Sequence, residues 1–159
     1  MSPPSAAPAR DYGPASPRPY QCFMGRWEGL CKTFTAAGDF AEASAVHMDV
    51  YWVDDRTWHL HEHFENLYEV GETTFHSDIT VDGPRGRRCF AESPMLRLWG
   101  TELTAFNYVF TIESGVSKTT VYNNHYFIDP DTRRIMTHKV RDGRTHLFQI
   151  QDFVRVVRP

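Results

Sequence analysis

The chain has 159 residues, a formal net charge of −3 and three cysteines. Its length is that of one domain with a sizeable core. The slight negative charge argues against general binding to nucleic acids or acidic membranes, because such binding requires clustered positive charge. The sequence also lacks a run of about 18 apolar residues, so we expect no membrane-spanning helix.

The first residues differ in composition from the rest of the chain. Six of the ten prolines fall within residues 1–19, where Leu, Ile, Val and Phe are absent. Such a segment buries too little apolar surface to offset the entropy of ordering it. We therefore predict a disordered tail over residues 1–19 and a folded domain over residues 20–159.

Two features indicate the cellular compartment. The first twenty residues contain no hydrophobic stretch of the kind that a secretory signal has. The three cysteines are an odd number without metal-ligand spacing, which is typical of free thiols in a reducing compartment. We expect a cytoplasmic protein.

From Cys22 onward, runs rich in Val, Thr, Tyr, Phe and Trp are separated by turn sequences such as AAGD (36–39), DGPRG (82–86) and RDGR (141–144). Helical periodicity is absent except for one short turn near "YQCFMGRWEG". Consecutive antiparallel strands leave exposed edges, which closure into a barrel removes. We predict an all-β fold, a single up-and-down antiparallel β-barrel of about 8–10 strands, with a sandwich as the alternative.

The segment "MGRWEGLCKTFTAAGDFAEA" (24–43) has a Gly-x-Trp-x-Gly strand, formed by Gly25, Trp27 and Gly29, ahead of a glycine-containing turn. It resembles the first hairpin of lipocalin-like (calycin) proteins, and most of all the group that includes the phycobiliprotein lyases and their uncharacterised relatives. The resemblance implies a lipocalin-like barrel whose bottom Trp27 closes and whose cavity holds a small, largely apolar molecule. The cysteine and chromophore-handling residues of the lyases have no match here, so no bilin ligand is implied.

The stretch "WHLHEHFEN" (58–66) contains three histidines and two carboxylates, and successive strand residues face opposite sides. One face consists of Trp58, Leu60, Glu62 and Phe64, and the other of His59, His61, His63 and Glu65. Burying a large apolar side chain is favourable by roughly 1.5–3 kcal/mol. Burying imidazoles and a carboxylate without partners costs several kcal/mol. We predict that the aromatic face points inward and takes Glu62 with it.

Two residues are candidate acid/base groups. Desolvation inside the barrel would raise the pKa of Glu62 towards neutrality, which suits proton transfer. In "RIMTHKVR" the face with Met136 and His138 is more apolar than the opposite face, so we expect His138 to point inward. The predicted catalytic residues are Glu62 and His138.

The remaining strands supply the expected cavity wall. For "VYNNHYFID" the tyrosine face is favoured over the alternative face, and for "THLFQIQDFV" the face of Phe148 is favoured over that of Leu147. With Trp58, Leu60 and Phe64, the predicted ligand-binding residues are Phe75, Phe106, Tyr108, Phe110, Tyr122, Tyr126, Met136, His146 and Phe148.

A metal site is the alternative interpretation of the histidine face. The His-x-His spacing of His59, His61 and His63 puts imidazoles on one side of a strand, which could bind a divalent transition metal. The pattern superficially fits a cupin, but the glycine spacing is poor and no second motif follows. We therefore predict no metal and no other cofactor.

Three hypotheses about function follow. No Gly-rich phosphate loop, Gly-x-Ser-x-Gly elbow or Cys-x-x-Cys pair is present. The first hypothesis is a cofactor-free enzyme of lyase, isomerase or cyclase type that acts on a small apolar or aromatic molecule. The second is a non-catalytic carrier or sensor, and the third is a metal-dependent protein. The expected partners exclude nucleic acid and membrane, and the sequence is compatible with a homodimer.

Overall fold

The computed structural model describes residues 18–83 and 85–159, so residues 1–17 of the predicted tail lie outside the described residues. In the described part, ten antiparallel strands form a closed barrel in which neighbours in sequence pair and β1 pairs with β10. The strands are β1 (Gly25–Thr35), β2 (Phe40–Trp52), β3 (Thr57–Leu67), β4 (Gly71–Val81), β5 (Arg88–Glu92), β6 (Leu96–Thr104), β7 (Asn107–Ser114), β8 (Thr119–Asp129), β9 (Thr132–Arg141) and β10 (Arg144–Val157). The predicted all-β barrel is confirmed. No helix in the described part is long and apolar enough to span a membrane.

A short 3-10 turn, Gln21–Phe23, precedes β1 and plugs one end of the barrel. Phe23 is buried there against the rings of Trp58, Tyr108 and Phe127, with ring centres 4.8–5.6 Å away. Trp27 is fully buried at the same end, and its indole Nε1 donates a hydrogen bond to the Phe23 carbonyl at 2.9 Å. The barrel therefore has a closed bottom of packed aromatic rings.

Arg18, just before the first buried residues of the domain, contacts the barrel. The guanidinium of Arg18 sits 3.4 Å over the Trp52 ring and donates to the Asp55 carbonyl at 2.6 Å. These contacts involve a residue within the predicted tail of residues 1–19.

The barrel wall has its shortest strand pairing between β4 and β5. These strands pair only at Thr80 with Phe90 and at Val81 with Cys89, whereas the other neighbouring strands share longer ladders. The first part of β4 therefore has no strand partner on its β5 side among the described residues. Phe75 lies in the part of β4 that lacks a β5 partner. It is 44% exposed and also lines the interior, so the interior reaches solvent beside it.

Candidate functional site

A cavity of about 240 Å³ occupies the barrel above the aromatic plug. Pockets for drug-sized ligands are typically about 300–1,000 Å³, so this cavity suits a smaller molecule. Its two sides differ in chemistry.

One side of the cavity is apolar and is formed by strands β3, β4, β6 and β7. Its residues are Trp58, Leu60, Phe64, Phe75, Ile79, Leu98, Phe110 and Ile112. In the structure, the Trp58 face of β3 and Phe110 point inward, the orientation predicted for them. Tyr108 also points inward but lies fully buried below the cavity, in the plug.

The opposite side is polar and is formed by β8, β9 and β10. Paired residues share a face, so the register arranges the inward side chains in rows. His125, Ile135 and Gln151 form one row, and Asn123, Thr137 and Gln149 form the next. The hydroxyl of Thr137 donates to the Asn123 amide oxygen at 2.7 Å, and the Gln149 amide donates to Thr33 at 3.1 Å.

The predicted inward faces of these three strands are wrong. Tyr122, Tyr126, Met136 and Phe148 are 37–47% exposed and lie on the outer surface. His138 lies there too, stacked on Phe148 with ring centres 5.0 Å apart and bonded to Thr145 at 3.0 Å. His138 is therefore not in the cavity with Glu62.

Strand register explains this reversal. Buried Cys31 and Thr33 of β1 lie opposite Gln151 and Gln149 of β10, so both glutamines point inward. Because paired residues share a face, the β9 residues opposite these glutamines also point inward, and so do the β8 residues opposite those of β9. Residue hydrophobicity does not set these faces, because here the inward side chains line a cavity instead of filling a packed core.

Two other predicted ligand residues lie at the ends of the barrel. Phe106 is 46% exposed in the turn between β6 and β7, outside the cavity. His146 sits where the register shifts between Thr145 and Leu147, and its Nε2 pairs with Glu69 at 2.6 Å. Neither lines the cavity.

The histidine face of β3 points to the outside, as predicted. His59 contacts Asp78 at 2.7 Å, His63 contacts Thr74 at 2.8 Å, and His61 stacks on His76 with ring centres 4.5 Å apart. Among the described residues, no group of three or more His, Cys, Asp or Glu side chains is arranged to hold a metal ion.

Glu62 lines the cavity from β3, between Leu60 and Phe64. Desolvation by the barrel wall raises the pKa of its carboxyl group to about 7, although the positive charge of Arg133 acts in the opposite direction. Both the acid and its conjugate base are therefore accessible near neutral pH.

Arg133 forms the floor of the polar side and is completely buried. Its guanidinium carbon lies 4.8 Å from the centre of the Phe23 ring and 4.5 Å from that of Trp27. Nη2 donates to the sulfur of Met48 at 3.2 Å, and Nε and Nη1 have no hydrogen-bond partner. Burial lowers the pKa of Arg133 to about 9, so it remains cationic at neutral pH.

His125 lines the cavity from the polar side, and His76 of β4 lines it beside Phe75. Burial and, secondarily, the charge of Arg133 lower the pKa of the His125 imidazole well below the usual range, so it is neutral at pH 7. Its Nδ1 has no hydrogen-bond partner, and neither do Trp58 Nε1 and Gln151 Oε1. The interior thus combines the carboxyl group of Glu62, the basic side chains of Arg133 and Lys139, and the neutral imidazole of His125.

Sequence reasoning missed both Arg133 and His125 as site residues. For His125, the two faces of the strand "VYNNHYFID" are both amphipathic, so the sequence does not show which of them points inward. For Arg133 a signal existed, because adjacent Arg133 and Arg134 must face opposite sides of a strand. One of the two arginines had to point inward whichever face was chosen, and Arg134 pairs with Asp152 on the outside at 2.7 Å.

Comparison with solved structures returns proteins with the same barrel. An S-type phycobiliprotein lyase from Guillardia theta has a TM-score of 0.66 at 12% identity, over 86% of this chain and 89% of its own. A DUF3598-family protein of unknown function from Nostoc punctiforme has a TM-score of 0.71 at 17% identity, over 87% of this chain. This chain spans about half, 51%, of that protein's length. Rv2717c from M. tuberculosis has a TM-score of 0.62 at 12% identity, over 91% of this chain and 99% of its own.

These likenesses establish the fold. The chain has the closed antiparallel barrel that the resemblance to lipocalin-like proteins implied. At such identities a shared fold does not transfer an activity. No protein-family model matches the sequence, and no curated protein matches it.

Proposed function

We propose that the protein binds a small, largely apolar molecule in the barrel cavity and acts on it by cofactor-free acid/base chemistry. The observation that carries the proposal is the placement of Glu62 in this cavity, opposite a polar wall and beside an apolar one. A carboxyl group whose pKa is about 7 can donate a proton and take it back at the same pH.

The reaction class follows from the groups available. Glu62 exchanges a proton with the bound molecule, and neutral His125 on the opposite wall accepts or donates a hydrogen bond. The apolar wall excludes water and holds the substrate in a fixed shape. Isomerisation, cyclisation and elimination need no more than these functions, which is why the proposal names lyase, isomerase or cyclase chemistry.

A non-catalytic carrier or sensor is the second candidate. The observation in its favour is that His138, the predicted partner of Glu62 in proton transfer, lies outside the barrel.

The cytoplasm remains the proposed location, supported by three buried cysteines that form no disulfide.

Native mass spectrometry of tag-free protein tests ligand binding first. A co-purified organic molecule would identify the ligand class, and its recovery should fall in Leu60→Trp, which fills the cavity. His61→Trp, the adjacent outward residue on β3, is the matched control and should retain the molecule. Equal loss in both variants, or equal retention, would contradict binding in the cavity.

Catalysis is tested with the identified molecule. Glu62→Gln keeps the size of the side chain and removes its proton exchange, so turnover should fall by 100-fold or more, within the range of about 10²–10⁴-fold that general acid–base catalysis typically contributes. Ligand binding should persist. Unchanged turnover would remove Glu62 from the mechanism, and binding without any turnover in the wild type would favour the carrier.

A further inference from the structure

Arg133 carries a positive charge that nothing in the described structure neutralises directly. No carboxylate of residues 18–83 and 85–159 lies within 4.0 Å of its guanidinium, although Glu62 influences it electrostatically. Four aromatic rings surround the charge, those of Phe23, Trp27, Phe127 and Phe153, at 4.5–5.7 Å from ring centre to guanidinium carbon. Such a charge is costly to bury unless an anion pairs with it.

Most of the buried polar atoms in the cavity lining that lack a hydrogen-bond partner are N–H donors, with Gln151 Oε1 as the acceptor among them. Arg133 Nε and Nη1 and Trp58 Nε1 are N–H groups without acceptors, and His125 Nδ1 is unpaired as well. The contact of Arg133 Nη2 with the Met48 sulfur is a weak one. A bound group with oxygen acceptors would satisfy the N–H groups of Arg133 and Trp58.

We infer that the ligand is an apolar carboxylic acid whose carboxylate binds Arg133 at the floor of the cavity. This inference rests on the proposed function and adds the chemical class of the ligand. A guanidinium presents its N–H groups in a planar fork that matches the two oxygens of a carboxylate. One cation at the floor balances one negative charge, which suits a carboxylate better than a doubly charged phosphate.

The cavity then fixes how the molecule lies. Its carboxylate points to the closed end of the barrel, and its apolar body rests on Leu60, Phe110 and Ile112. The flexible thioether of Met48 turns aside so that the oxygens reach the guanidinium. The other end of the molecule points to where the interior reaches solvent beside Phe75.

Glu62 sits across the β2–β3 ladder from Met48, and therefore near the same floor. Its raised pKa leaves it partly protonated at pH 7, so it does not repel the ligand as a full negative charge would. Pairing of the ligand carboxylate with Arg133 would place the ligand's adjacent carbon atoms close to the Glu62 side chain.

The test uses three probes with one apolar body: 4-phenylbutanoate, 4-phenylbutan-1-ol and 4-phenylbutylamine. Isothermal titration calorimetry at pH 7 on the full chain measures their affinities. We expect the acid to bind at least tenfold more tightly than the alcohol, and the amine to bind most weakly.

Substitutions test whether Arg133 gives the cavity its preference for the acid over the alcohol. Arg133→Met should reduce the acid-to-alcohol affinity ratio to about one and leave the alcohol affinity within threefold. Lys139→Met, which removes the other cation that lines the cavity, and Arg134→Met, on the outer face, should keep the wild-type ratio. A ratio that survives Arg133→Met overturns the inference.

A measurement on the wild-type protein covers the case in which Arg133→Met does not fold. The Nε–H resonance of Arg133 should shift on addition of 4-phenylbutanoate and not of 4-phenylbutan-1-ol. An unmoved resonance overturns the inference. If the alcohol binds as tightly as the acid, the carboxylate assignment fails while the proposed function stands; if no probe binds and no cavity resonance moves, both fail.

Discussion

The guanidinium carbon of Arg133 lies 4.5 Å from the centre of the Trp27 ring. Arg155 of β10 approaches the same ring to 4.5 Å, so Trp27 packs against two arginines at the bottom of the barrel. Cation–π contacts of desolvated groups contribute up to about 2 kcal/mol each, in addition to the burial of the indole. This aromatic and cationic layer both closes the barrel and forms the floor of the cavity.

We expect Trp27→Leu to lower the free energy of unfolding by about 3 kcal/mol, because it removes a fully buried ring and leaves a cavity. Trp99→Leu is the control, since Trp99 is 43% exposed on β6, and it should cost less than about 1 kcal/mol. Urea denaturation measures both. Equal losses would show that the bottom layer contributes little to stability.

Glu62 should make stability fall with rising pH. In the unfolded chain its carboxyl ionises near pH 4.5, whereas in the barrel its pKa is about 7. Between these values the folded protein retains a proton that the unfolded chain has released, so the free energy of unfolding decreases as pH rises. The full effect amounts to about 3 kcal/mol and is complete above pH 7.

Glu62→Gln tests this dependence. The variant should match the wild type near pH 4.5 and be more stable at pH 8 by up to about 3 kcal/mol in chemical denaturation. Glu65→Gln, an exposed carboxylate that faces outward on the same strand, should leave the pH dependence unchanged. A wild-type pH profile that Glu62→Gln does not alter would contradict the burial of an ionisable carboxyl here.

Gly29 is required for the close approach of β1 and β10. A Cβ at this position would lie 2.3 Å from the Asp152 carbonyl oxygen and 2.6 Å from the Phe153 ring. Gly29→Ala should therefore destabilise the barrel by about 3 kcal/mol, because backbone cannot move aside cheaply. Gly115→Ala meets nothing within 4 Å and should be neutral, which thermal denaturation of the two variants can check.

The three cysteines should be unreactive in the folded protein. Cys22, Cys31 and Cys89 are at most 7% exposed. Burial raises the pKa of Cys31 to about 11 and that of Cys89 to about 12, so neither forms thiolate at pH 8. Ellman's reagent should detect no thiol in native protein and three in guanidinium chloride. One thiol that reacts rapidly in the native state would contradict this packing.

The sequence was sufficient to predict the barrel and the orientation of β3. Turn residues recur at regular spacing, and the β3 faces differ sharply, with Trp58, Leu60 and Phe64 against three histidines. Such contrast makes the energetic preference for one face decisive. The short helical turn before β1 was visible in the local sequence, and the buried Trp27 was implied by the resemblance to lipocalin-like proteins.

The polar wall was not predictable in the same way. On β9 the inward side chains include Arg133 and Lys139, while Met136 faces out, so hydrophobicity alone selects the wrong side. The correct side depends on pairing with β1 across the closed seam, which joins residues as distant as Gly29 and Phe153. Long-range register of this kind has no local sequence signal.

That seam also has a consequence for folding kinetics. Every other strand pairing joins neighbours in sequence, and such hairpins form locally within about 1–10 μs. Joining β1 to β10 must bring the two ends of the domain together, and the loop-closure entropy makes this step slower. Because β10 carries part of the polar wall, the complete cavity exists only after closure. A molecule that binds in the cavity should therefore slow the unfolding of the barrel and leave its folding rate unchanged.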